Sequence, residues 1–500
     1  MNFSNKKVFF FLQRNWGIKI GNEIAKKIYN EGAIIGGLTF KYHHHYLSQT
    51  NIKYSFLQNH DEILESPKTY LNNFDCTLES ICNDLNIKSI WPYVQSLRDH
   101  VKSYRNNFYY DFKQNVSDEI IILYIKAIYK FLIDLEKSFS PNVVVLPNFV
   151  SLVHIMTYFF FKKRKIKCIG ATTAMINNRF IFINDFLDTE GSFFKKIEFY
   201  EKNGLNDLEL INQAKITLQE EINNLLFKED KIVIKKDFFI SFLKFFYNFS
   251  LNFFRSSPKV SKLFGIKKDQ AKYHNKYLVR DFIGKNINII KSNRLKYYKL
   301  SELSKFAYMP LQFQPEENID VVSSSYNNQI EVARQIAMNL PGDMTLAVKD
   351  HPQMYGFRSY KYLEKILKTP NVKLLEYDNA SVSILKKSSI LVAPTGTTFY
   401  EAALLKKPAI LLGSLGTSKI LPNTMQFTSY YSLPDDINRL ISLSKKWNDS
   451  YDKKMLIIIS AILKEGFDLN YRKIWEKNFI NHSDLDSIVE KFREEIINNF

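Results

Sequence analysis

Short apolar runs alternate with amphipathic segments along the second half of the chain, from about residue 305 onward. The apolar runs predict buried strands, and the segments between them repeat apolar residues at the spacing of a helix. Strands and helices that alternate with short connections are typical of a parallel sheet covered by helices on both faces. The predicted strands lie at 307–311, 344–348, 372–377, 390–393 and 409–412, and the predicted helices at 327–339, 360–368, 381–387 and 399–405.

The first half of the chain shows the same alternation in a less regular form. Its predicted strands lie at 8–12, 33–40, 143–146, 166–169 and 179–183, and its clearest helices at 17–30, 120–135, 151–161 and 206–227. Two strand–helix–strand units in this half predict another doubly wound sheet. Since 500 residues exceed what one hydrophobic core normally supports, we predict an α/β protein of two domains.

The predicted domain boundaries follow changes in this pattern. Residues 1–300 are assigned to a first Rossmann-like domain, which includes a helical and basic insert at about 232–300. Residues 301–465 are assigned to a second Rossmann-like domain. The chain is predicted to be helical from Asp435 onward, and the C-terminal helices of residues 466–500 are predicted to pack back on the first domain.

Three polar clusters each follow a predicted strand of the second domain. Because the carboxyl ends of neighbouring parallel strands meet at one edge of a sheet, we expect the clusters to line the crevice where ligands bind in such folds. The clusters are Gln314-Pro315-Glu316-Glu317, then Lys349-Asp350-His351-Pro352, and then Thr395-Gly396-Thr397-Thr398, which is followed by Glu401.

The residue types in these clusters fit a nucleotide-linked ligand. Hydroxyl residues and a glycine before a helix form an anion site from backbone N–H groups, although threonine is also an ordinary helix cap. The imidazole of His351 can donate a hydrogen bond to a phosphate oxygen. The carboxylate of Glu401 can accept both hydroxyls of a ribose, although it also stabilises the first turn of any helix. If Glu316 is desolvated it suits acid, base or nucleophile chemistry, and Glu317 is the alternative.

Positive charge is concentrated between Arg255 and Lys299, where thirteen basic residues stand against two acidic ones. The segment supplies a net +11 of the chain's formal +18, and such a patch favours an anionic lipid surface or a nucleic acid. Just before it, six phenylalanines of residues 237–254 fall near one face of a predicted helix. Three interpretations stay open for this helix, namely a cover for the core, an interfacial membrane helix and a partner interface.

Other features indicate an intracellular protein without a metal site. The three cysteines form neither a disulfide framework nor a zinc pattern, so we expect reduced thiols. The apolar run near the N-terminus is short and predicts a core strand rather than a signal peptide. No run reaches the roughly 18–20 apolar residues that span a bilayer. We interpret His43-His44-His45 as a solvated tract, because no ligand spacing accompanies it.

Four segments in fixed order carry a family resemblance. They are Tyr308-Met-Pro-Leu-Gln-Phe-Gln-Pro-Glu316, Leu340-Pro341, Val348-Lys-Asp-His-Pro352 and Thr395-Gly-Thr-Thr-Phe-Tyr-Glu-Ala402. With these segments the chain resembles the capsular or surface polysaccharide biosynthesis family of GT-B glycosyltransferases, which includes bacterial transferases that use CMP-Kdo. The resemblance covers about 110 residues well and the first half loosely.

The resemblance implies a GT-B fold, in which two Rossmann-like domains face a cleft. It further implies a CMP- or UDP-linked sugar donor on the second domain and an acceptor glycan on the first. It implies that His351 and the hydroxyl residues at 395–398 contact the donor phosphate, and we add Gln314, Lys349, Pro352 and Glu401 as donor-binding residues. We expect a metal-independent transferase that uses no cofactor, at the cytoplasmic face of the membrane, with a lipid-linked acceptor.

Other functions remain compatible with the sequence. A nucleotide-sugar epimerase or a polyol-phosphate transferase would use the same fold. A non-enzymatic nucleic-acid-binding protein would use the basic stretch at 255–299, although no known binding module is recognisable there. A non-catalytic scaffold protein would have the same fold but no enzymatic activity.

Overall fold

The computed structural model describes residues 3–13, 16–40, 43–48, 50–97, 116–176, 178–227, 242–247, 249–250, 275–469 and 482–500. The chain divides into two units. The first unit comprises Met1–Leu97, Val116–Gly204 and Ala461–Phe500, and the second includes Leu205–Ser460. Each unit is built around one sheet, so the α/β fold predicted from the sequence is confirmed.

Seven strands form the sheet of the first unit, in the order β13-β6-β5-β4-β1-β2-β3. Strands β1 to β5 pair in parallel, whereas β6 is antiparallel to both β5 and β13. The central strands are continuous apolar runs, as expected where helices cover both faces of a sheet. The strands are β1 Lys7–Leu12, β2 Ile34–Thr39, β3 Phe56–Asn59, β4 Val143–Val145, β5 Lys167–Thr173, β6 Arg179–Ile183 and β13 Phe467–Asp468.

Six strands form the sheet of the second unit, in the order β12-β11-β10-β7-β8-β9, and every pair is parallel. Strands β7, β8 and β9 follow one another toward one edge of the sheet, and β10, β11 and β12 follow one another toward the other edge. The strand order therefore reverses between β7 and β10. Ligands bind in the crevice at such a switch point, outside the carboxyl ends of the strands. The strands are β7 Phe306–Pro310, β8 Thr345–Lys349, β9 Val372–Leu374, β10 Ile390–Ala393, β11 Ala409–Leu411 and β12 Thr424–Gln426.

Helices connect the strands, and residues 242–247 are helical as well. A π-helical turn, Gly17–Gly21, precedes the first α-helix, and another, Asn318–Val322, follows β7. The α-helices are α1 Asn22–Asn30, α2 His43–Ser48, α3 His60–Glu65, α4 Pro67–Leu71, α5 Leu78–Leu85, α6 Trp91–Val94, α7 Asp118–Ser138, α8 Leu152–Lys163, α9 Ser192–Asn203, α10 Leu208–Phe227, α11 Asn275–Ser292, α12 Gln329–Met338, α13 Tyr360–Leu367, α14 Ser381–Lys387, α15 Thr398–Leu404, α16 Gly416–Lys419, α17 Leu433–Ser444, α18 Asp449–Glu465 and α19 His482–Asn498.

The C-terminal helix α19 belongs to the core of the first unit. Its Phe492 is fully buried and packs edge-on against Phe182 of β6, with ring centroids 4.9 Å apart. Its Arg493 pairs with Glu31 at the end of α1, with Nε and Oε2 2.8 Å apart. Burial of an aromatic ring stabilises such a contact by a few kcal/mol, so α19 is fixed to this unit mainly by its apolar face.

The boundary between the two units differs from the predicted domain boundary. We assigned residues up to 300 to the first domain, but the second unit begins at Leu205. Helices α10 and α11 pack on α15 and α13 of the second unit, respectively. Both helices therefore contact elements of the second unit, and Ile289 of α11 packs against its core, which a reading of the periodicity alone does not reveal.

Three short strands were not predicted. These are β3, β12 and β13, and β13 shows that the prediction of continuous helix from Asp435 onward is wrong at Phe467–Asp468. Each lies at or near the edge of its sheet and has two to four residues, too few for a clear period. No helix in the described part of the chain is both long and apolar enough to span a bilayer.

Candidate functional site

The three polar clusters follow three neighbouring strands at the switch point of the second sheet. The segment after β7 contains Gln312–Glu317, the segment after β8 contains Asp350–Pro352, and the turn after β10 contains Thr395–Thr398. Strand β7 lies between β8 and β10, so its loop is flanked by the other two. The structure therefore brings the predicted clusters to one edge of one sheet.

The turn after β10 is packed closely against the loop after β7. Gly396 has φ of +122°, and a Cβ atom there would lie 2.9 Å from Oε1 of Gln312. Ser323 Oγ donates to the carbonyl of Pro394 at 3.2 Å, which joins the same two loops. A glycine is needed at 396 both for its backbone angle and for this close approach.

A buried hydroxyl in the turn has no hydrogen-bond partner among the described residues. Thr395 is fully buried, and its Oγ1 makes no hydrogen bond to any described residue. An unpaired buried hydroxyl costs roughly 1–3 kcal/mol. Thr397 is exposed and Thr398 begins α15, so the turn offers hydroxyls at different depths. A ligand oxygen that reached Oγ1 would satisfy the hydroxyl of Thr395.

His351 is held in one tautomer by the backbone after it. Its Nδ1 accepts a hydrogen bond from the N–H of Gln353 at 3.2 Å, so the neutral ring carries its hydrogen on Nε2. Burial lowers the pKa of His351, the positive charges of Lys349 and Arg358 lower it further, and Asp350 opposes the shift. The ring lies edge-on to Phe313 of the β7 loop, with centroids 5.7 Å apart. His351 is therefore placed to donate from Nε2 as a neutral group.

Lys349 is a buried cation at the end of β8. It is 2% exposed, and its Nζ lies 3.4 Å from the carbonyl oxygen of Asp350. Burial lowers the pKa of its ammonium to about 8, although the charges of Asp350 and Asp378 oppose the shift. No carboxylate among the described residues lies within 4.0 Å of Nζ. Because an ion pair is missing, an anionic ligand would stabilise this charge.

A buried ion pair beneath the loops connects them. Arg358 Nε donates to Asp350 Oδ1 at 2.8 Å, and both side chains are almost fully buried. The same oxygen accepts from the N–H of His351 at 2.8 Å, and Oδ2 accepts from the hydroxyl of Tyr377 at 2.6 Å. Arg358 Nη2 donates to the carbonyl of Gln312 at 2.7 Å. The pair therefore fixes the β8 loop to the β7 loop beside His351.

Gln314 is fully buried within this network. Its Oε1 accepts from Gln329 Nε2 at 2.7 Å, and its Nε2 donates to the carbonyl of Asn327 at 2.9 Å. Gln329 also accepts from the N–H of Gln312 at 2.6 Å. The oxygen and the nitrogen of the Gln314 amide both form hydrogen bonds within the protein, so this side chain stabilises the loop after β7.

The predicted carboxylates lie around the same edge. Glu316 and Glu317 are half-buried, and the N–H of Glu316 donates to Oδ2 of the buried Asp320 at 3.2 Å. Glu401 is half-buried in the first turn of α15. Burial raises the pKa of Tyr308, and the charge of Glu401 raises it further. The roles of these carboxylates stay predictions.

The sequence did not reveal the supporting residues of the site. Arg358, Tyr377 and Gln329 come from loops and helices rather than from the clusters themselves. A charged residue is normally exposed, so nothing in the local pattern marks Arg358 as buried. Among the described residues, no group of three or more His, Cys, Asp or Glu side chains is arranged to hold a metal ion.

Comparisons with known proteins agree with the predicted resemblance. The family model described as "Capsule polysaccharide biosynthesis protein" matches residues 253–415, which include all three clusters. No curated protein sequence matches the chain. The match confirms the resemblance drawn from the four motifs.

Two solved structures are similar to the chain at low identity and low TM-score. KpsC of Thermosulfurimonas dismutans, a beta Kdo 2,7 transferase, is 8% identical to this chain. The comparison covers 73% of this chain and 89% of that chain, and the TM-score is 0.36. UDP-GlcNAc 2-epimerase of Methanocaldococcus jannaschii, in complex with UDP-GlcNAc and UDP, is 13% identical to this chain. The comparison covers 92% of this chain and 99% of that chain, and the TM-score is 0.25. Similarity at this level does not identify a reaction.

Proposed function

From the match of residues 253–415 to the capsule polysaccharide biosynthesis family, we propose that this chain is a GT-B glycosyltransferase that acts on a polysaccharide acceptor. The donor is a sugar linked to a nucleoside mono- or diphosphate. The proposal rests on three groups at one switch point: a neutral imidazole donor, a buried ammonium and a hydroxyl that no described residue pairs with. Together these groups fit the anionic linkage of a nucleotide sugar.

The donor phosphate is bound at the carboxyl ends of β7, β8 and β10. His351 donates from Nε2, Lys349 supplies positive charge, and the turn at Thr395–Thr398 supplies hydroxyl and backbone donors. Glu401 holds the ribose. Pro352 restricts the backbone directly after His351 and thereby helps to direct its ring. No metal ion is required in this arrangement, because charge on the phosphate is met by protein groups.

Catalysis follows from stabilising the departing phosphate. The bond between the anomeric carbon and the phosphate oxygen breaks, and the acceptor oxygen forms a bond to the same carbon. Negative charge grows on the phosphate in this step, so preformed donors stabilise the transition state more than the ground state. Glu316, with Glu317 as the alternative, assists at the acceptor hydroxyl or at the anomeric carbon.

The acceptor is assigned to the first unit, whose sheet reverses its strand order between β1 and β4. Polar and aromatic side chains lie at the carboxyl ends of these strands and their neighbours. Thr39 Oγ1 lies 2.6 Å from His44 Nδ1, so His44 is not simply solvated, and the His60 ring stacks on Phe40 at 4.4 Å. Rings and hydrogen-bonding groups of this kind suit a glycan. A lipid-linked acceptor at the cytoplasmic face of the membrane fits the basic second unit.

Turnover of labelled nucleotide sugars tests the proposal. Purified protein is incubated with CMP-, UDP- and GDP-linked sugars, and the products are separated from the donors. We expect hydrolysis or transfer of one donor, and His351→Ala should lower its rate by on the order of a hundredfold. An unchanged rate in His351→Ala would remove this residue from the mechanism.

The same product analysis separates the other candidate functions. An epimerase returns a nucleotide sugar with an inverted centre and releases no sugar. A polyol-phosphate transferase leaves the polyol phosphate on the acceptor. A nucleic-acid-binding protein turns over no donor and is retained on duplex DNA or RNA at physiological salt.

A further inference from the structure

Helix α11 of the second unit exposes an apolar row that the core does not cover. The row follows the i, i+4, i+8, i+11 spacing of one helix face, and its members are 37–56% exposed. They are Val279, Ile283, Ile287 and Ile290. The opposite side of α11 faces the protein, where Ile289 and Lys285 would contact any Cβ atom at Gly356. A surface helix normally keeps its apolar stripe toward the core, so this exposed row is unusual.

The helical residues 242–247 lie against α11 and extend this surface. Phe245 stacks on Phe282 of α11 with ring centroids 4.5 Å apart, and Phe242 packs on the same ring at 6.1 Å. Four of the six residues are apolar or aromatic and 41–65% exposed: Phe242, Leu243, Phe246 and Tyr247. Part of the phenylalanine-rich face predicted at 237–254 is therefore directed to the solvent as well as to α11.

The described segments that contain the apolar row carry a net positive charge. Positions 242–247, 249–250 and 279–299 contain seven Lys or Arg residues and one acidic residue, Asp281, which pairs with Arg280 at 2.6 Å. Lys244 and Lys291 are exposed. Burial lowers the pKa of Lys285, which faces the protein, and the charge of Lys244 lowers it further. Exposed apolar side chains accompanied by net positive charge are complementary to an anionic interface.

Helix α10 shows that exposed apolar residues alone do not make such a surface. It also exposes large apolar side chains, among them Leu208, Ile216 and Phe227. However, α10 carries three glutamates against one lysine. Its charge is repelled by anionic lipid, whereas the charge around α11 is attracted.

We propose that α11 and residues 242–247 bind the surface of an anionic phospholipid bilayer, with the apolar row in the interfacial layer and the basic residues at the headgroups. The same helix contacts the loop that follows His351. Asn288 Nδ2 donates to the carbonyl of Gly356 at 3.3 Å, and the hydroxyl of Tyr355 donates to Oδ1 of Asn293, directly after the helix, at 3.1 Å. Membrane binding therefore holds the candidate donor site at the bilayer. This last link rests on the proposed function, but the lipid contact does not.

Vesicle flotation of the full chain tests the surface. The vesicles contain phosphatidylcholine with about 30 mol% phosphatidylglycerol, or phosphatidylcholine alone. We expect wild-type protein to float with the anionic vesicles, and to do so less at high salt. The double variant Ile283→Asp/Ile287→Asp should bind at least roughly tenfold more weakly, because two apolar side chains that enter the interfacial layer are replaced by anions. The matched control Ile216→Asp on α10 should bind like the wild type.

A second variant and two further measurements keep the test decisive. Lys244→Glu/Lys291→Glu should weaken binding to anionic vesicles while keeping the apolar row. Unchanged thermal midpoints show that the variants are folded, and unchanged donor hydrolysis without vesicles separates this surface from the proposed function. The proposal is overturned if wild-type protein stays soluble, or if both double variants float normally. A dimer that Ile283→Asp/Ile287→Asp dissociates, without lipid binding, would assign the surface to a second copy of the chain.

Discussion

Arg358 joins two loops of the candidate site, and its replacement is expected to destabilise the second unit strongly. The guanidinium is completely buried and donates to Asp350 and to the carbonyl of Gln312. It also lies over the ring of Tyr362, 4.8 Å from the centroid. Arg358→Met keeps an unbranched, flexible side chain, although a shorter one, and removes the charge and the donors. The buried carboxylate of Asp350 would then rely on the Tyr377 hydroxyl and a backbone N–H.

The expected loss follows from the cost of an unpaired buried charge. Removing one partner of a buried ion pair costs about 3–5 kcal/mol of unfolding free energy. In domains of about 150–250 residues, 1 kcal/mol lowers the melting temperature by about 2–4 °C. We therefore expect the transition of the second unit to fall by roughly 6–20 °C in Arg358→Met. Differential scanning calorimetry measures this shift.

Two controls isolate the effect of burial. Arg334→Met breaks an exposed pair with Glu331, 2.7 Å apart, in the same unit and should change the transition little. Adding Asp350→Asn to Arg358→Met removes the stranded charge and should restore part of the loss. A transition for Arg358→Met within about 2 °C of the wild type would refute the reasoning.

Three further predictions concern the loops themselves. Gly396→Ala should lower the stability of the protein in thermal unfolding by about 1–3 kcal/mol, because its Cβ would lie 2.9 Å from Gln312 Oε1 at a φ of +122°. The control Gly342→Ala should leave the stability unchanged, because a Cβ atom there meets nothing within 4 Å. Nucleotide affinity measured by calorimetry should be highest below pH 8 and should fall above it, because Lys349 has a pKa of about 8 and loses its proton there. Lys349→Met should bind the nucleotide more weakly, and its affinity should change less with pH. An equally steep change of affinity with pH in this variant would contradict the prediction. His351→Gln offers an amide N–H near the position of Nε2, so it should recover part of the activity lost in His351→Ala; equal rates for the two variants would argue against a neutral donor.

The position of the three clusters could be predicted because local pattern and topology act together. Each apolar run is long enough to identify a buried strand, and the polar residues follow directly after it, as His351 follows β8. Short connections then make the strands parallel neighbours, which brings their carboxyl ends to one edge. The sequence therefore predicted the fold class and the position of the three clusters at one edge of the sheet.

The support beneath the site could not be predicted in the same way. Arg358 and Gln314 are 44 positions apart, and Tyr377 is 27 positions from Asp350, so no local period links them. The prediction that the chain enters the second domain near residue 300 failed to anticipate that α10 packs on α15. Both features depend on which apolar and polar faces meet in the folded protein.

Calorimetric titration of CMP, UDP and GDP tests the central claim, that a nucleotide phosphate lies between His351 and the turn at 395–398. The account predicts that one nucleotide binds and that His351→Ala and Thr395→Val each weaken it by roughly tenfold. Thr395→Val should not lower the thermal midpoint, because the hydroxyl it removes has no partner among the described residues. Failure of every nucleotide to bind, or binding that neither substitution changes, would contradict the account.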